Sequence, residues 1–162
     1  MGAEPVMNAP EPYVLRAPVL VVGLSVRTTN ADEAQPARAK IPALWQRFYH
    51  DGHSAAVAGP VYGVYTEYAT DATGPYTLIV GAASDAPSPA PPFVRVQIPA
   101  GSYLAFTSQG DVPAAVVAGW QGIWEYFARP GAPQRAYTAD FEVYDPSTPY
   151  EVRICIAVKS PP

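Results

Sequence analysis

Apolar and polar positions change period several times along the chain, and each change marks an element. Residues 17–29 form a Val- and Leu-rich run, which predicts a buried strand. Residues 30–34 are a polar turn. Pro36 suits the first turn of a helix that carries Ile41, Leu44, Trp45 and Phe48 at spacings of three and four. Pro42 places either the true start of that helix near Lys40 or a kink inside it. Residues 50–59 read as a loop. Residues 61–69 and 76–83 read as two strands of a hairpin, turning around residues 71–75. The proline-rich stretch 86–92 is a stiff connector, and residues 93–98 are a short strand. The pattern then restarts: a strand over 102–108, a helix start with Asp111 as its cap, and a helix with Val116, Trp120, Ile123, Trp124 and Phe127 on one stripe. Strands over 137–144 and 150–158 close the chain, turning at 145–149.

The order is β-α-β-β, twice. A shift of 79 positions places Trp45 on Trp124, Phe48 on Phe127, Val64 on Val143 and Tyr65 on Tyr144, and likewise Thr28 on Thr107 and Asp32 on Asp111. Two such units predict an α+β fold: a duplicated β-α-β-β module with pseudo-twofold symmetry, an antiparallel sheet, two helices and a central cleft. The half-repeats span about residues 17–83 and 93–158 within one domain over 13–160, after a disordered leader over 1–12.

Within the repeat one pair of positions disagrees in a chemically important way. Gly63 stands opposite Glu142. Strand parity puts Glu142 and Tyr144 on one side and Phe141 and Val143 on the other. The apolar pair is expected to pack on the helix, leaving Glu142 and Tyr144 to face the space between the halves, with Gly63 and Tyr65 on the matching wall. A carboxylate among aromatic rings suits a cationic or amphipathic aromatic small molecule: the charge is matched, and the ring faces add apolar area and cation–π attraction. The candidate ligand-binding residues are Glu142, Trp120, Tyr144, Tyr65, Tyr103 and Gly63. Trp120 stands out because its repeat partner is the smaller Ile41; the helical stripe otherwise accounts for Trp120 and Trp124 as core, and a solvated strand glutamate is the ordinary alternative for Glu142.

Composition removes other classes. The chain is 49% apolar and 15% charged with a net charge of −4, and its basic residues are scattered, so nothing points to nucleic acid. The longest apolar run is far short of the roughly 20 residues that span a bilayer, and no targeting signal is visible, which fits a cytoplasmic protein. The single cysteine, Cys155, lies in an apolar run and reads as a buried thiol. His50 and His53 share one loop without a third ligand, and Glu67 with Asp71 is a solvated pair beside a turn. No cofactor or metal is called for.

The segments VVGLSVRTTN, KIPALWQRFY, VYGVYTEYATDATGPYTLIVG, IPAGSYLAFTSQG, WQGIWEYF, DFEVYD and YEVRICIAVK together resemble the GyrI-like, or bacterial effector-binding, superfamily, and within it the integron-associated effector-binding proteins. The resemblance implies a cleft for small, often cationic, amphipathic compounds, with Glu142 at the position of a ligand-contacting glutamate in the penultimate strand. Too few residues precede the domain for a helix-turn-helix, so a stand-alone binder is expected. Stand-alone relatives also include hydrolases that open strained cyclopropane rings of DNA-alkylating natural products. That reading would make Glu142 catalytic, positioning or deprotonating water. A gyrase-inhibitor-like protein partner is a third reading that no residue singles out.

Overall fold

The register of one ladder organises the whole molecule. In the structure, a computed structural model that describes residues 5–50, 59–84 and 90–159, strand β4 (Val61–Thr66) runs antiparallel to β8 (Ala139–Tyr144), and Gly63 is the direct partner of Glu142. These two residues are also 79 positions apart, so the pseudo-twofold axis passes through that pair. The other strands are arranged about it. Strands β5 (Tyr76–Ala83), β3 (Val19–Thr28) and β6 (Val94–Ile98) follow β4 on one side. Strands β9 (Glu151–Ala157) and β7 (Gly101–Gln109) follow β8 on the other, with β1 (Val6–Met7) and β2 (Glu11–Leu15) both paired to β7. All nine described strands pair antiparallel, and three helices are described: α1 (Asn30–Glu33), α2 (Ile41–His50) and α3 (Ala114–Ala128). The architecture is the expected α+β one.

The repeat is not uniform. The helices and central strands keep the spacing of 79, as Leu44 and Ile123, both fully buried, illustrate. The strands before the helices instead correspond at 82, where Val21, Gly23 and Leu24 match Tyr103, Ala105 and Phe106 in burial. The last strands correspond at 74, and so do their turns: Asp71 accepts from the amide and hydroxyl of Thr73, and Asp145 from those of Ser147. With these spacings Gly23↔Gly81 maps onto Ala105↔Cys155, and Gly63↔Val80 onto Glu142↔Ile154. The identities of Thr28 with Thr107 and Asp32 with Asp111 therefore do not mark equivalent places.

Both long helices cover the same face of the sheet, each over its own half. Leu44 and Phe48 of α2 pack on Leu24, Leu78 and Val80, while Ala115 and Ile123 of α3 pack on Phe106, Ile154 and Ile156. The opposite face holds a third apolar layer, in which Val21, Val64, Ile79, Phe141 and Cys155 meet Tyr13, Leu15 and Val96 from the edge strands. Helix contacts fall on the outer strands and leave the central β4–β8 pair open between α2 and α3.

Several local expectations change. The polar turn at 30–34 contains α1, capped by the Thr29 hydroxyl accepting from the Asp32 amide. Pro42 sits in the first turn of α2, which begins at Ile41; the Glu33 carboxylate accepts from the Lys40 and Ile41 amides and replaces a local cap. Asp111 does not cap α3 with its side chain; its carbonyl accepts from the Ala115 amide. The leader expected up to residue 12 pairs with β7 at Val6–Met7 and again from Glu11; Met7 reaches the core beneath α3, and Tyr13, just past the leader, reaches the opposite layer. Residues 1–4, 51–58, which include His53, and most of the proline-rich connector lie outside the described residues.

Gly23 and Gly81 are direct partners in the β3–β5 ladder. A Cβ on Gly81 would fall inside van der Waals contact of the Val22 carbonyl, and one on Gly23 inside that of Val80. Gly81→Ala is expected to lower the stability read from urea denaturation by roughly 3 kcal/mol, whereas Gly59→Ala, with open space around its Cβ position, should change it by less than about 0.5 kcal/mol.

Candidate functional site

Parity on β8 decides which side chains reach the open strip between the helices. Phe141 and Val143 turn to the apolar layer on the far face, and Asp140, Glu142 and Tyr144 turn toward the helices. This reverses the sequence expectation that the apolar pair packs on the helix. The physical reason is that both faces of this sheet are buried, so an apolar residue need not face a helix.

Glu142 is 1% exposed. Its carboxylate accepts three hydrogen bonds of equal length: Tyr65 Oη and Trp120 Nε1 donate to Oε2 at 2.7 Å, and Tyr144 Oη donates to Oε1 at 2.7 Å. Tyr65 and Tyr144 are repeat partners, so the axial carboxylate presents one oxygen to each copy's tyrosine. Trp120 breaks the symmetry because Ile41 holds the equivalent position. Gly63 leaves the room: a Cβ there would stand 2.8 Å from Glu142 Oε1. Burial raises the Glu142 pKa above its ordinary value, and the donors Trp120, Tyr144 and Tyr65 pull it back in part. Among the described residues no basic group forms an ion pair with it.

Above this floor lies a cavity of about 720 Å³, walled largely by apolar and aromatic groups. Tyr65, Trp120 and Tyr144 form part of its wall, and Glu142 sits behind them. The aromatic shell is continuous. Tyr65 and Trp120 meet edge-on with centroids 5.0 Å apart, and Trp45 meets Tyr144 at 5.1 Å. Tyr49, Val112, Val117 and Trp124 line the cavity while 44–56% exposed, which gives it an apolar rim. At another part of the wall stand Tyr68 and Arg135. Asp140, fully buried, accepts from Arg135 Nη2 at 2.8 Å, from Tyr68 Oη at 2.6 Å and from the Ala157 amide at 2.8 Å. Burial pushes the Asp140 carboxyl up, and Arg135 opposes that. The two carboxylates thus differ: among the described residues Asp140 has a cationic partner and Glu142 has none.

Of the residues singled out from sequence, Glu142, Gly63, Tyr65, Trp120 and Tyr144 converge. Tyr103 does not. Its strand parity sends it to the far-face layer, against Phe141 and Tyr13, with its hydroxyl on the Pro99 carbonyl. Trp124, read as core, is a rim residue, as its repeat partner Trp45 is a wall residue. Sequence reasoning missed Asp140, although it shares parity with Glu142; it placed Tyr68 in a strand over 61–69 that in fact ends at Thr66, and it missed Arg135, whose irregular segment carries no periodicity. Among the described residues no group of three or more His, Cys, Asp and Glu side chains converges to hold a metal, and no helix is long and apolar enough to cross a membrane.

A family model described as integron-associated effector binding protein matches residues 16–158. The integron cassette protein from the mobile metagenome of Vibrio cholerae has 35% identity and a TM-score of 0.87, covering 97% of this chain and 100% of that one. A structure of SAV2435 bound to tetraphenylphosphonium has 21% identity and a TM-score of 0.75, covering 94% of this chain and 95% of that one. A protein from Staphylococcus aureus MU50 has 22% identity and a TM-score of 0.73, covering 94% and 99%. The last two are likenesses of fold. No curated protein matches the chain.

Each neutral donor favours the charged form of Glu142. Tyr65→Phe is therefore expected to raise the pH at which Glu142 protonates, followed by carbon-detected NMR titration, and to cost about 1–3 kcal/mol of stability. Tyr103→Phe should leave that titration where it is.

Proposed function

Because the chain belongs to the family of integron-associated effector-binding proteins, we propose that it is a receptor for cationic, amphipathic aromatic small molecules, held in the cleft between α2 and α3. The observation that carries this reading is the buried carboxylate of Glu142, served by three neutral donors and, among the described residues, by no cation. A charge taken out of water without a counter-ion is costly. A ligand cation seated on the faces of Tyr65, Trp120 and Tyr144 supplies the missing charge. At about 6 Å and an effective dielectric near 20, the attraction is on the order of 3 kcal/mol. Hydrogen bonds donated to the carboxylate also polarise the phenolic oxygens, which makes them better acceptors toward the same cation. The apolar walls and exposed rim fit the aromatic parts of such a molecule. SAV2435, which shares the fold, binds tetraphenylphosphonium, a cation surrounded by phenyl groups.

The hydrolytic alternative uses the same carboxylate, and one experiment separates the two. Glu142→Gln is expected to weaken binding of a permanent aromatic cation roughly 10- to 100-fold by calorimetry, while a neutral analogue of the same shape changes little. Equal losses for both would remove the electrostatic role. Incubation with a cyclopropane-bearing aromatic compound should return it unchanged; a hydrolysis product lost in Glu142→Gln would move the reading to catalysis.

The sign of the pH dependence follows from the raised pKa. Glu142 stays neutral to a higher pH than the ordinary 4.5. Affinity for a permanent cation should therefore be weak below that window and rise with pH through it. In Glu142→Gln the affinity should not change across the window.

A further inference from the structure

We propose that Glu33 is a second charge-recognising residue of the cleft, and that the cleft prefers a dication with an aromatic spacer, one charge beside Tyr65, Trp120 and Tyr144 and the other at the start of α2. This rests on the reading of Glu142 as a cation's partner.

Glu33 ends α1, is half-buried and forms part of the cavity wall. Its partners locate the carboxylate. Oε2 accepts from the Thr28 hydroxyl at 2.6 Å and the Lys40 amide at 2.9 Å, and Oε1 accepts at 3.1 Å from the amide of Ile41, itself a wall residue. All three donors are neutral, and among the described residues no cation forms an ion pair with Glu33. The Lys40 ammonium donates instead to the Arg27 carbonyl at 2.8 Å. Arg135, the one cation among the wall residues, is held by Asp140 of β8 at 2.8 Å. Glu33 is tied to β3, and the three strand spacings from β8 to β3 amount to about 14 Å. Glu33 thus repeats the circumstance of Glu142 in a weaker form, because the first amides of α2 and its partial exposure both temper its charge.

A track of tyrosines joins the two acids. The Tyr65 hydroxyl lies on Glu142, the Tyr65 and Tyr76 rings are 5.6 Å apart, and the Tyr76 hydroxyl donates to Asn30 Oδ1 at 2.9 Å, at the start of α1. Burial raises the Tyr76 pKa, and Glu33 and then Glu142 push it the same way, so the fields of both carboxylates reach this one wall residue. The corner before α3 lines the cavity with Val112 and Pro113 and brings no charge, so the second pole exists only at α2 among the described residues. Across the sheet Glu142 is level with Gly63, Val80 and Leu24, and Thr28 lies four residues further along β3. That sets the two backbones about 19 Å apart, and with both acids reaching toward the cavity their charges stand on the order of 10–15 Å apart. A biphenyl spacer suits that separation.

Two isosteric probes test this: biphenyl with a trimethylammoniomethyl group at each para end, and its analogue with one of those groups replaced by neopentyl, a quaternary carbon standing for one nitrogen. The quantity read by calorimetry is the ratio of the monocation's Kd to the dication's. In Glu33→Gln this ratio is expected to fall roughly five- to tenfold, while the monocation's own Kd changes by less than about twofold. Glu125→Gln, which removes an exposed charge outside the cavity wall, should leave the ratio as it is. If Glu33→Gln does not fold, the ratio is read on the unmodified protein with a single benzene ring as spacer, whose charges stand too close to serve both acids, and it should be lower by the same factor. A ratio unchanged in Glu33→Gln or by the shorter spacer, or one that falls as far in Glu125→Gln, overturns the role of Glu33 while leaving the Glu142 reading intact. Failure of both probes to bind, or a monocation affinity that Glu142→Gln leaves unchanged, overturns the cation reading and the second pole with it.

Discussion

A carboxylate on a pseudo-twofold axis has room for one side chain, and the rest of the site follows from that. Gly63 and Glu142 are direct partners in the central ladder. A side chain at position 63 would run into the Glu142 carboxylate. The duplicated scaffold therefore cannot be symmetric at its centre if it is to hold an acid there. The symmetry that survives is used on the acid itself, with Tyr65 and Tyr144 each taking one oxygen. Trp120 adds the third bond from α3, which ties one helix to the floor and fixes one wall of the cleft.

Two buried carboxylates on one face of β8 have opposite electrostatic circumstances. Asp140 is paired: a guanidinium, a tyrosine hydroxyl and a backbone amide donate to it and oppose the cost of its burial, and it anchors β8 to β9 through Ala157. Among the described residues Glu142 is met by neutral dipoles alone. Dipoles lower the cost of the charge without cancelling it, so a residual field extends into a cavity whose walls are apolar. The open strip above β4 and β8 exists because each helix is occupied by its own outer strands.

Much of the fold was legible in periodicity. The β-α-β-β order, the hairpins and the stripes of both long helices correspond to elements found. Leu44 and Phe48, or Ile123, had no other apolar role to fill. What periodicity could not show was the slippage of the repeat from 82 to 79 to 74. Matching identities at Thr28 and Asp32 were misleading because pairing register, set by ladder hydrogen bonds and burial, defines equivalence in a sheet. The edge strands near the N-terminus were also hidden, since Pro-rich edge segments lack the strand signature and are fixed by the strand they join.

The sequence by itself determined that one copy carries an acid where the other carries no side chain, and it offered Tyr65, Tyr144, Trp120 and Tyr103 as the rings that could stand beside it. Those are matters of residue identity and spacing. Only the tertiary structure decided the face. A sheet buried on both sides makes strand parity ambiguous, so Phe141 and Val143 went to a layer that alternation alone does not reveal, and Tyr103 went with them. It also decided that, among the described residues, Asp140 has a cationic partner and Glu142 does not, because the guanidinium comes from an irregular segment whose path no period predicts.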